Sequence, residues 1–109
     1  MQAYELDDLR IRRADAGQRY LEFLRVPALS IGLYSLPAGG VDPQSPHTED
    51  EVYYVVKGRG QIVVGGEDRP VEAGSIVYVA ANVEHRFHDI TEAMDILVFF
   101  APAEYSRRA

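Results

Sequence analysis

The fold of this chain is decided by the stretch Pro46-His47-Thr48-Glu49-Asp50-Glu51-Val52-Tyr53-Tyr54-Val55-Val56-Lys57-Gly58, residues 46–58. Its second half is rich in β-branched and aromatic residues and ends at a glycine, which predicts a strand. Residues separated by an even number lie on the same side of an extended strand, so His47 and Glu51 face a common side. This imidazole and carboxylate make the stretch a candidate metal site.

Short apolar segments separated by turn signals flank that stretch on both sides. Residues 28–36 alternate as a half-buried strand does, and Gly65-Gly66 predicts a hairpin between two further strands. The nearly continuous apolar run 94–101 fits a strand that is covered on both faces. Residues 19–26 suit a helix or a strand equally. Some seven to nine short strands and no long helix predict an all-β sandwich or barrel, with the jelly roll among the candidates.

The length of 109 residues allows one domain with a modest core. We predict an N-terminal polar arm over residues 1–18, with little periodicity, and a barrel domain over residues 19–102. A polar C-terminal tail follows over residues 103–109. The apolar run 94–100 and the arm also suggest a homodimer, because small chains often bury apolar surface by association.

Composition excludes several classes of function. The chain has no cysteine, which excludes disulfides, thiolate metal sites and thiol nucleophiles. A net charge of −6 and the absence of a basic run argue against nucleic-acid binding. No apolar run is long enough to span a bilayer, and no segment resembles a signal peptide. A cytoplasmic location and no membrane partner are therefore expected.

Only three histidines are available, His47, His85 and His88. His85 lies on a later predicted strand and would complete a set of two imidazoles and one carboxylate with Glu51, an arrangement that iron, zinc and manganese use. His88 is an odd number of positions from His85 and is expected on the outer face. Taken singly, His47 is more commonly a turn residue and Glu51 more commonly a solvated acid; the pattern as a whole, with His85, favours a metal site.

The spacing resembles the two sequence motifs of the cupins. The first motif, G-x5-H-x-H-x3-E-x6-G, matches at its second histidine, its glutamate and its final glycine. The second, G-x5-P-x-G-x2-H-x3-N, matches at its first glycine and its histidine; its proline, second glycine and asparagine are replaced by Ala80, Asn82 and Asp89. The resemblance covers residues 31–101. It implies a single cupin jelly-roll barrel, the double-stranded β-helix, with His47, Glu51 and His85 as metal ligands.

One position departs from the first motif. Ser45 stands where the family has the first histidine of its pair, so one of four usual ligands is missing. Gln44 is a possible extra ligand through its amide oxygen, and water could also fill the position. Glu49 shares the parity of His47 and could replace a ligand, but a solvated member of the acidic run is the expected role.

Aromatic residues are predicted to form the wall of a substrate pocket. Tyr53 shares parity with Glu51, Phe87 shares parity with His85, and Tyr34 is a further wall candidate. Such a pocket is apolar with a few polar groups at one end, which is the usual composition of a small-molecule site.

The function that follows is a small metal-dependent cupin that acts on a small organic molecule. The metal would be Fe, Zn, Mn or Ni, and the family resemblance implies reactions of the dioxygenase, isomerase or lyase type. The alternative is a non-catalytic module that binds a ligand or a metal. A weaker alternative uses Glu51 as a general base without metal, which normally requires a paired His and Asp that the sequence does not reveal.

Overall fold

The computed structural model describes residues 1–43 and 46–106 and confirms the all-β jelly-roll barrel, a double-stranded β-helix. Six strands form one continuous antiparallel system in the order β1-β2-β6-β3-β4, and β5 pairs with β3. The elements are α1 (Leu6–Ala16), β1 (Tyr20–Val26), β2 (Leu29–Leu36), β3 (Asp50–Val64), β4 (Glu67–Glu72), β5 (Ile76–Val79) and β6 (His85–Ala101).

The opening stretch forms the first half of β3 and alternates as its pattern predicts. Glu51, Tyr53 and Val55 are at most 2% exposed, whereas Tyr54 between them is 40% exposed. This half pairs with β5 along one edge and with the end of β6 along the other. The side chains of Glu51, Tyr53 and Val55, which are two positions apart, therefore point into the barrel.

Strands β3 and β6 are long and bend back on themselves. His85 pairs in register with Val64, which is 13 positions from Glu51 along β3. A straight strand would separate those positions by about 43 Å, at about 3.3 Å per residue. The side chains of His85 and Glu51 nevertheless lie 2.8 Å apart. Three register shifts between Val55 and Gln61 show where the pair bends, so the two halves of each strand lie in opposite layers.

The core fills the space between these layers. Its largest members come from both halves of the long strands, and the apolar run at the end of β6 lies in the middle of the sheet, between β2 and β3. Met94, Ile96, Val98 and Phe100 are at most 3% exposed within the single chain. The run that suggested a homodimer is thus already covered by the chain's own strands.

The N-terminal arm differs from the prediction, because Leu6–Ala16 is an α-helix. It begins with acidic residues, has Arg13 in its last turn and ends at Gly17 in the left-handed conformation with φ 66°. Only Leu9 is buried, so the helix has no apolar stripe that periodicity could detect. Arg10 ties it to β6 through an ion pair of 3.0 Å to Asp95. The ambiguous segment that follows is a strand, β1.

No helix in the described ranges has the length and apolar character needed to cross a membrane.

The bend of β3 generates a stability prediction at Gly58. Its φ is +95°, and an added Cβ would lie 2.3 Å from the carbonyl oxygen of Ala93 on β6. Gly74 has the same φ of +95° but no heavy atom within 4 Å of such a Cβ, so it is a matched control. Both alanine variants bear the cost of a positive φ, about 1–3 kcal/mol. Gly58→Ala should lose about 1–3 kcal/mol more of its unfolding free energy by overpacking.

Urea denaturation of the two variants measures this difference. Equal destabilisation of Gly58→Ala and Gly74→Ala would show that the close approach of β3 and β6 does not depend on the glycine.

Candidate metal centre

Two turns bring the three candidate ligands together. His47 lies just before β3, Glu51 is the second residue of β3, and His85 is the first residue of β6. The backbone N–H of Asn82 donates to the carbonyl oxygen of His47 at 2.7 Å, and the N–H of Ala81 donates to the Asp50 carboxylate at 2.9 Å. The turn before β6 is therefore fastened to the start of β3, which fixes the distance between the two histidines.

The three side chains form a compact cluster of nitrogen and oxygen donors. One donor atom from each of His47, Glu51 and His85 lies within 4.8 Å of the others. Oε1 of Glu51 is 2.8 Å from Nε2 of His85 and 3.3 Å from Nδ1 of His47. The Glu51 and His85 side chains are each 1% exposed. The predicted trio is thus assembled inside the barrel.

The donor set fits a divalent metal ion. The Nδ1–H of His85 donates to the carbonyl oxygen of Val83 at 2.8 Å, which leaves the lone pair of Nε2 on the side of Glu51. Among the described residues, no partner makes a hydrogen bond of good geometry with either carboxylate oxygen of Glu51. The same is true of Nδ1 of His47. Buried polar atoms without such bonds are costly unless something binds them. Ligand distances of about 2.0–2.2 Å would suit donors this close together.

The cluster shifts the pKa values of its members in opposite directions. Burial alone would lower the pKa of His47, but Glu104 and Glu51 outweigh it and raise that pKa to about 9. Burial likewise works against the positive charge of His85, and Glu51 and the Val83 carbonyl raise its pKa. Burial would raise the pKa of Glu51, yet the two imidazoles lower it. Without metal, these shifts favour the ionised carboxylate and the protonated imidazoles.

A cavity of about 240 Å³ adjoins the cluster. It is walled mainly by aromatic and apolar side chains, with His47 and two carboxylates at one side. The lining residues are Tyr20, Tyr34, Pro43, His47, Glu51, Tyr53, Val98, Phe100, Glu104 and Tyr105. Tyr53 and Tyr34, both proposed from the sequence as pocket residues, lie on this wall. Phe87 lies behind it and packs edge-on against Tyr53, with ring centroids 4.9 Å apart.

The loop before β3 contributes a buried carboxylate to the site. Asp42 is 4% exposed and accepts two hydrogen bonds. One comes from the Tyr34 hydroxyl at 2.5 Å and the other from the backbone N–H of Phe87 at 2.9 Å. Burial and then this hydrogen bond raise the pKa of Tyr34, so its phenol stays protonated. Asp42 therefore holds one wall tyrosine in place.

Glu49 is also buried, contrary to the solvated role expected from the sequence. It is 1% exposed, and its Oε1 accepts the backbone N–H of Tyr105 at 2.7 Å. Its Oε2 accepts a hydrogen bond from the Thr48 hydroxyl. Glu49 anchors the C-terminal segment, and it is not a member of the metal-ligand cluster.

The C-terminal segment supplies site residues that sequence reasoning missed. Glu104 and Tyr105 belong to the predicted polar tail, yet both line the cavity. Oε2 of Glu104 is 3.1 Å from Nε2 of His47, and the Tyr105 ring centroid is 5.9 Å from the His47 ring centroid. No local pattern marks these residues, because their place depends on contacts with β1, β2 and the loop before β3.

Tyr20 is a further lining residue that the sequence did not indicate. Its ring lies across Gly32 of β2, where an added Cβ would lie 2.1 Å from Cζ of the tyrosine. Burial, and then the negative charge of Glu104, raise the pKa of its phenol. The glycine therefore makes room for one aromatic wall of the cavity.

Three further residues were singled out in the sequence: His88, Gln44 and Ser45. His88 is partly exposed and pairs with Asp68 on β4 at 2.9 Å, away from the cluster. Gln44, the possible extra ligand, and Ser45, at the position of the missing histidine, lie outside the described residues.

Comparison with known proteins identifies close relatives. The family model described as cupin domain matches residues 32–100. The uncharacterized protein SCO3923 of Streptomyces coelicolor is 51% identical over 104 residues, which are 95% of this chain and 99% of that protein.

Solved structures share the fold at lower identity. TT1209 from Thermus thermophilus superposes with a TM-score of 0.74 at 22% identity, over 94% of this chain and 99% of that one. A mutant of salicylate 1,2-dioxygenase from Pseudoaminobacter salicylatoxidans, in complex with gentisate, superposes with a TM-score of 0.76 at 19% identity. That match covers 90% of this chain and 32% of the dioxygenase. Identities this low demonstrate a shared fold only.

The raised pKa of His47 predicts how the stability of the metal-free protein depends on pH. The ordinary pKa is 6.5 and the folded pKa is about 9, so protonated His47 stabilises the fold fully below pH 6.5. That contribution is lost as the pH rises through about 9. The unfolding free energy should fall by about 1–3 kcal/mol between pH 6.5 and 9.5. Chemical denaturation in the presence of EDTA measures the fall.

His47→Ala should remove most of this pH dependence, whereas His88→Ala, outside the cluster, should keep it. An unchanged pH dependence in His47→Ala would contradict the ion pairs with Glu51 and Glu104.

Proposed function

The chain belongs to the cupin family, and we propose that it holds one divalent metal ion with His47, Glu51 and His85. The metal is Fe, Zn, Mn or Ni, since two imidazoles and a carboxylate suit all four. We further propose that the protein acts on a small organic molecule in the adjoining cavity, in a reaction of the dioxygenase, isomerase or lyase type.

One observation carries this proposal. The buried carboxylate of Glu51 has two imidazoles at 2.8 and 3.3 Å and no hydrogen bond of good geometry among the described residues. A structural ion pair in a barrel interior would normally have its remaining lone pairs satisfied. A buried carboxylate that converges with two imidazoles at the wall of a cavity is what a metal-dependent site requires.

A bound metal would polarise a substrate oxygen as a Lewis acid or, if it is iron, activate dioxygen. The chain's own residues perform the rest. The Val83 carbonyl orients His85, and Asp42 holds the Tyr34 hydroxyl at the cavity wall. The aromatic side chains supply apolar surface for the reacting molecule. The shared fold with a salicylate 1,2-dioxygenase supports the oxygenase type, but fold alone does not select a reaction.

The volume of the cavity and the charge of its lining restrict the size and charge of the substrate. Its volume of about 240 Å³ exceeds the roughly 150 Å³ of a cavity known to hold benzene, so a molecule with a single ring fits. The walls include Glu51 and Glu104, and no lysine or arginine within residues 1–43 and 46–106 lines it. Of the described lining residues, His47 is the one basic side chain, and it already contacts both carboxylates. We therefore propose a single-ring, uncharged molecule that carries a hydroxyl or carbonyl oxygen.

The second candidate function is a non-catalytic binding module. It is favoured by the pairing of both lining carboxylates, Glu51 and Glu104, with His47. Among the described cavity residues, this leaves no carboxylate or imidazole unengaged for proton transfer. Oxygen uptake by the iron-loaded protein, together with product formation in the presence of each of the four metals, across small phenols, thiols and acids, separates the two candidates. Turnover identifies an enzyme; binding without turnover, for any of the four metals, identifies a module.

The homodimer and the cytoplasmic location stay predictions. Since the apolar run of β6 is buried within the chain, we take the exposed apolar residues on the outer face of β3 and β5 as candidate dimer contacts. These are Tyr54, Ile76 and Tyr78.

The metal site makes a direct prediction for protein purified without a histidine tag. Elemental analysis should find about one divalent metal per wild-type chain, since structural contacts already gather the donors. His47→Ala, Glu51→Gln and His85→Ala should each lower metal affinity by about two orders of magnitude or more, measured by competition with a chelator.

His88→Ala is the matched control, because His88 pairs with Asp68 outside the cluster and should retain wild-type affinity. Equal metal content in wild type and the His47→Ala/His85→Ala double variant would exclude the proposed site.

The charge of the cavity predicts ligand selectivity in the metal-free protein. Phenol and benzyl alcohol should bind about tenfold or more tightly than benzoate, because His47 is already paired with both Glu51 and Glu104 and these two carboxylates repel a third. Shifts of backbone amide NMR signals, followed during titration, measure the three affinities and locate the site. Benzoate binding as tight as that of phenol would contradict the proposed substrate class.

A further inference from the structure

We propose that Glu104 is a positioning residue that fixes which nitrogen of His47 faces the metal site. Its carboxylate accepts the Nε2–H of His47, which leaves the lone pair of Nδ1 directed toward Glu51. This proposal rests on the proposed metal site, and it assigns a role to a residue far outside the family motifs that identify the ligands.

The backbone holds Glu104 at the mouth of the cavity. Residues 102–106, the C-terminal segment, cross from the end of β6 over the edge of the barrel. Successive N–H groups of this segment each have a defined acceptor. Ala103 donates to the Pro27 carbonyl at 3.3 Å, Glu104 to the Ser30 hydroxyl at 2.9 Å, and Tyr105 to the Glu49 carboxylate at 2.7 Å.

Two of these acceptors are buried polar side chains. Ser30 is 0% exposed and Glu49 is 1% exposed. Burial of a carboxylate is expensive unless it makes hydrogen bonds. Both side chains accept a hydrogen bond from the segment that presents Glu104, so its position is built into the core and is not a chance surface arrangement.

The His47 imidazole is held at its faces as well as at Nε2. The ring centroid of Phe100 is 4.8 Å away and that of Tyr105 is 5.9 Å away. Oε2 of Glu104 lies 3.1 Å from Nε2, and the Glu104 side chain is only 12% exposed. Rotation of the ring would move Nε2 away from that carboxylate, so the contact selects one orientation.

The two histidines of the site are thereby fixed through opposite nitrogens. The Nδ1–H of His85 donates to a backbone carbonyl and presents Nε2, which is 2.8 Å from Glu51. His47 donates through Nε2 and presents Nδ1, which is 3.3 Å from the same oxygen. A neutral imidazole has one N–H and one lone pair, so the partner of one nitrogen decides the role of the other. A carboxylate partner also makes the ligating nitrogen more basic.

Glu104 is placed as a partner of His47 and not as a replacement for the missing fourth ligand. The mutually close donor atoms belong to His47, Glu51 and His85, and Glu104 is not among them. Its carboxylate contacts the nitrogen of His47 that lies farther from Glu51.

Long-range ¹H–¹⁵N NMR of the zinc-loaded protein tests this assignment. The expected spectrum shows His47 coordinated through Nδ1 and protonated at Nε2, and His85 with the opposite pattern.

Glu104→Gln keeps an acceptor oxygen and should keep the His47 pattern with a change in zinc affinity of a few fold. Glu104→Ala should lose about 10–100-fold in zinc affinity and show both His47 tautomers when metal is removed. Glu92→Ala, an exposed partner of Arg59, is the control and should change neither readout.

Coordination of His47 through Nε2 in the wild type would overturn the proposal, as would wild-type affinity and tautomer in Glu104→Ala.

Failure of the metal site itself looks different, because no zinc would bind to any variant. The metal-free protein then still decides the role of Glu104. In alkaline solution, where the ring is neutral, the fraction of His47 that carries its proton on Nε2 should be higher in wild type than in Glu104→Ala, because removal of Glu104 leaves the Glu51 carboxylate beside Nδ1 to compete for that proton. Equal fractions in the two proteins would refute the contact.

Discussion

The close approach of β3 and β6 at their common bend is the constraint on which the rest of the structure depends. Gly58 lies against the Ala93 carbonyl with a positive φ, and register shifts on either side let both strands change layer. The bend carries His85 from its partner Val64 back over the barrel to Glu51, on the other layer. Without it, the two halves of the core would not face each other and the candidate ligands would lie tens of ångströms apart. The glycine is therefore required by the site as much as by the fold.

The chemistry of the barrel interior depends on which polar groups the bend buries away from water. Glu51 is buried as a carboxylate between two imidazoles, and burial alone would favour its neutral form; the imidazoles reverse that preference. Each histidine has a second partner on its outer nitrogen, the Val83 carbonyl for His85 and the Glu104 carboxylate for His47. The cluster is thus oriented before any ion enters. The cavity beside it is aromatic and, among the described residues, has no lysine or arginine on its wall, which limits what can bind there.

Sequence alone predicted the part of this account that depends on local pattern. Parity along β3 correctly placed Glu51, Tyr53 and Val55 on the inner face, and the motif spacing brought His85 to the same site. It could not find α1, whose charged sequence buries only Leu9 and is held by an ion pair to β6. Nor could it find the roles of Asp42, Glu49 and Glu104. Each is an ordinary acid in a polar segment, and its burial follows from contacts with residues far away along the chain.

The central claim is that His47, Glu51 and His85 together hold one divalent metal ion. Diffraction from zinc-loaded crystals, collected on both sides of the zinc absorption edge, tests it most directly. The account predicts one anomalous peak per chain inside the barrel, at bonding distance from Nδ1 of His47, a carboxylate oxygen of Glu51 and Nε2 of His85. An empty cluster in zinc-loaded crystals, or zinc found only at surface carboxylates, would contradict it.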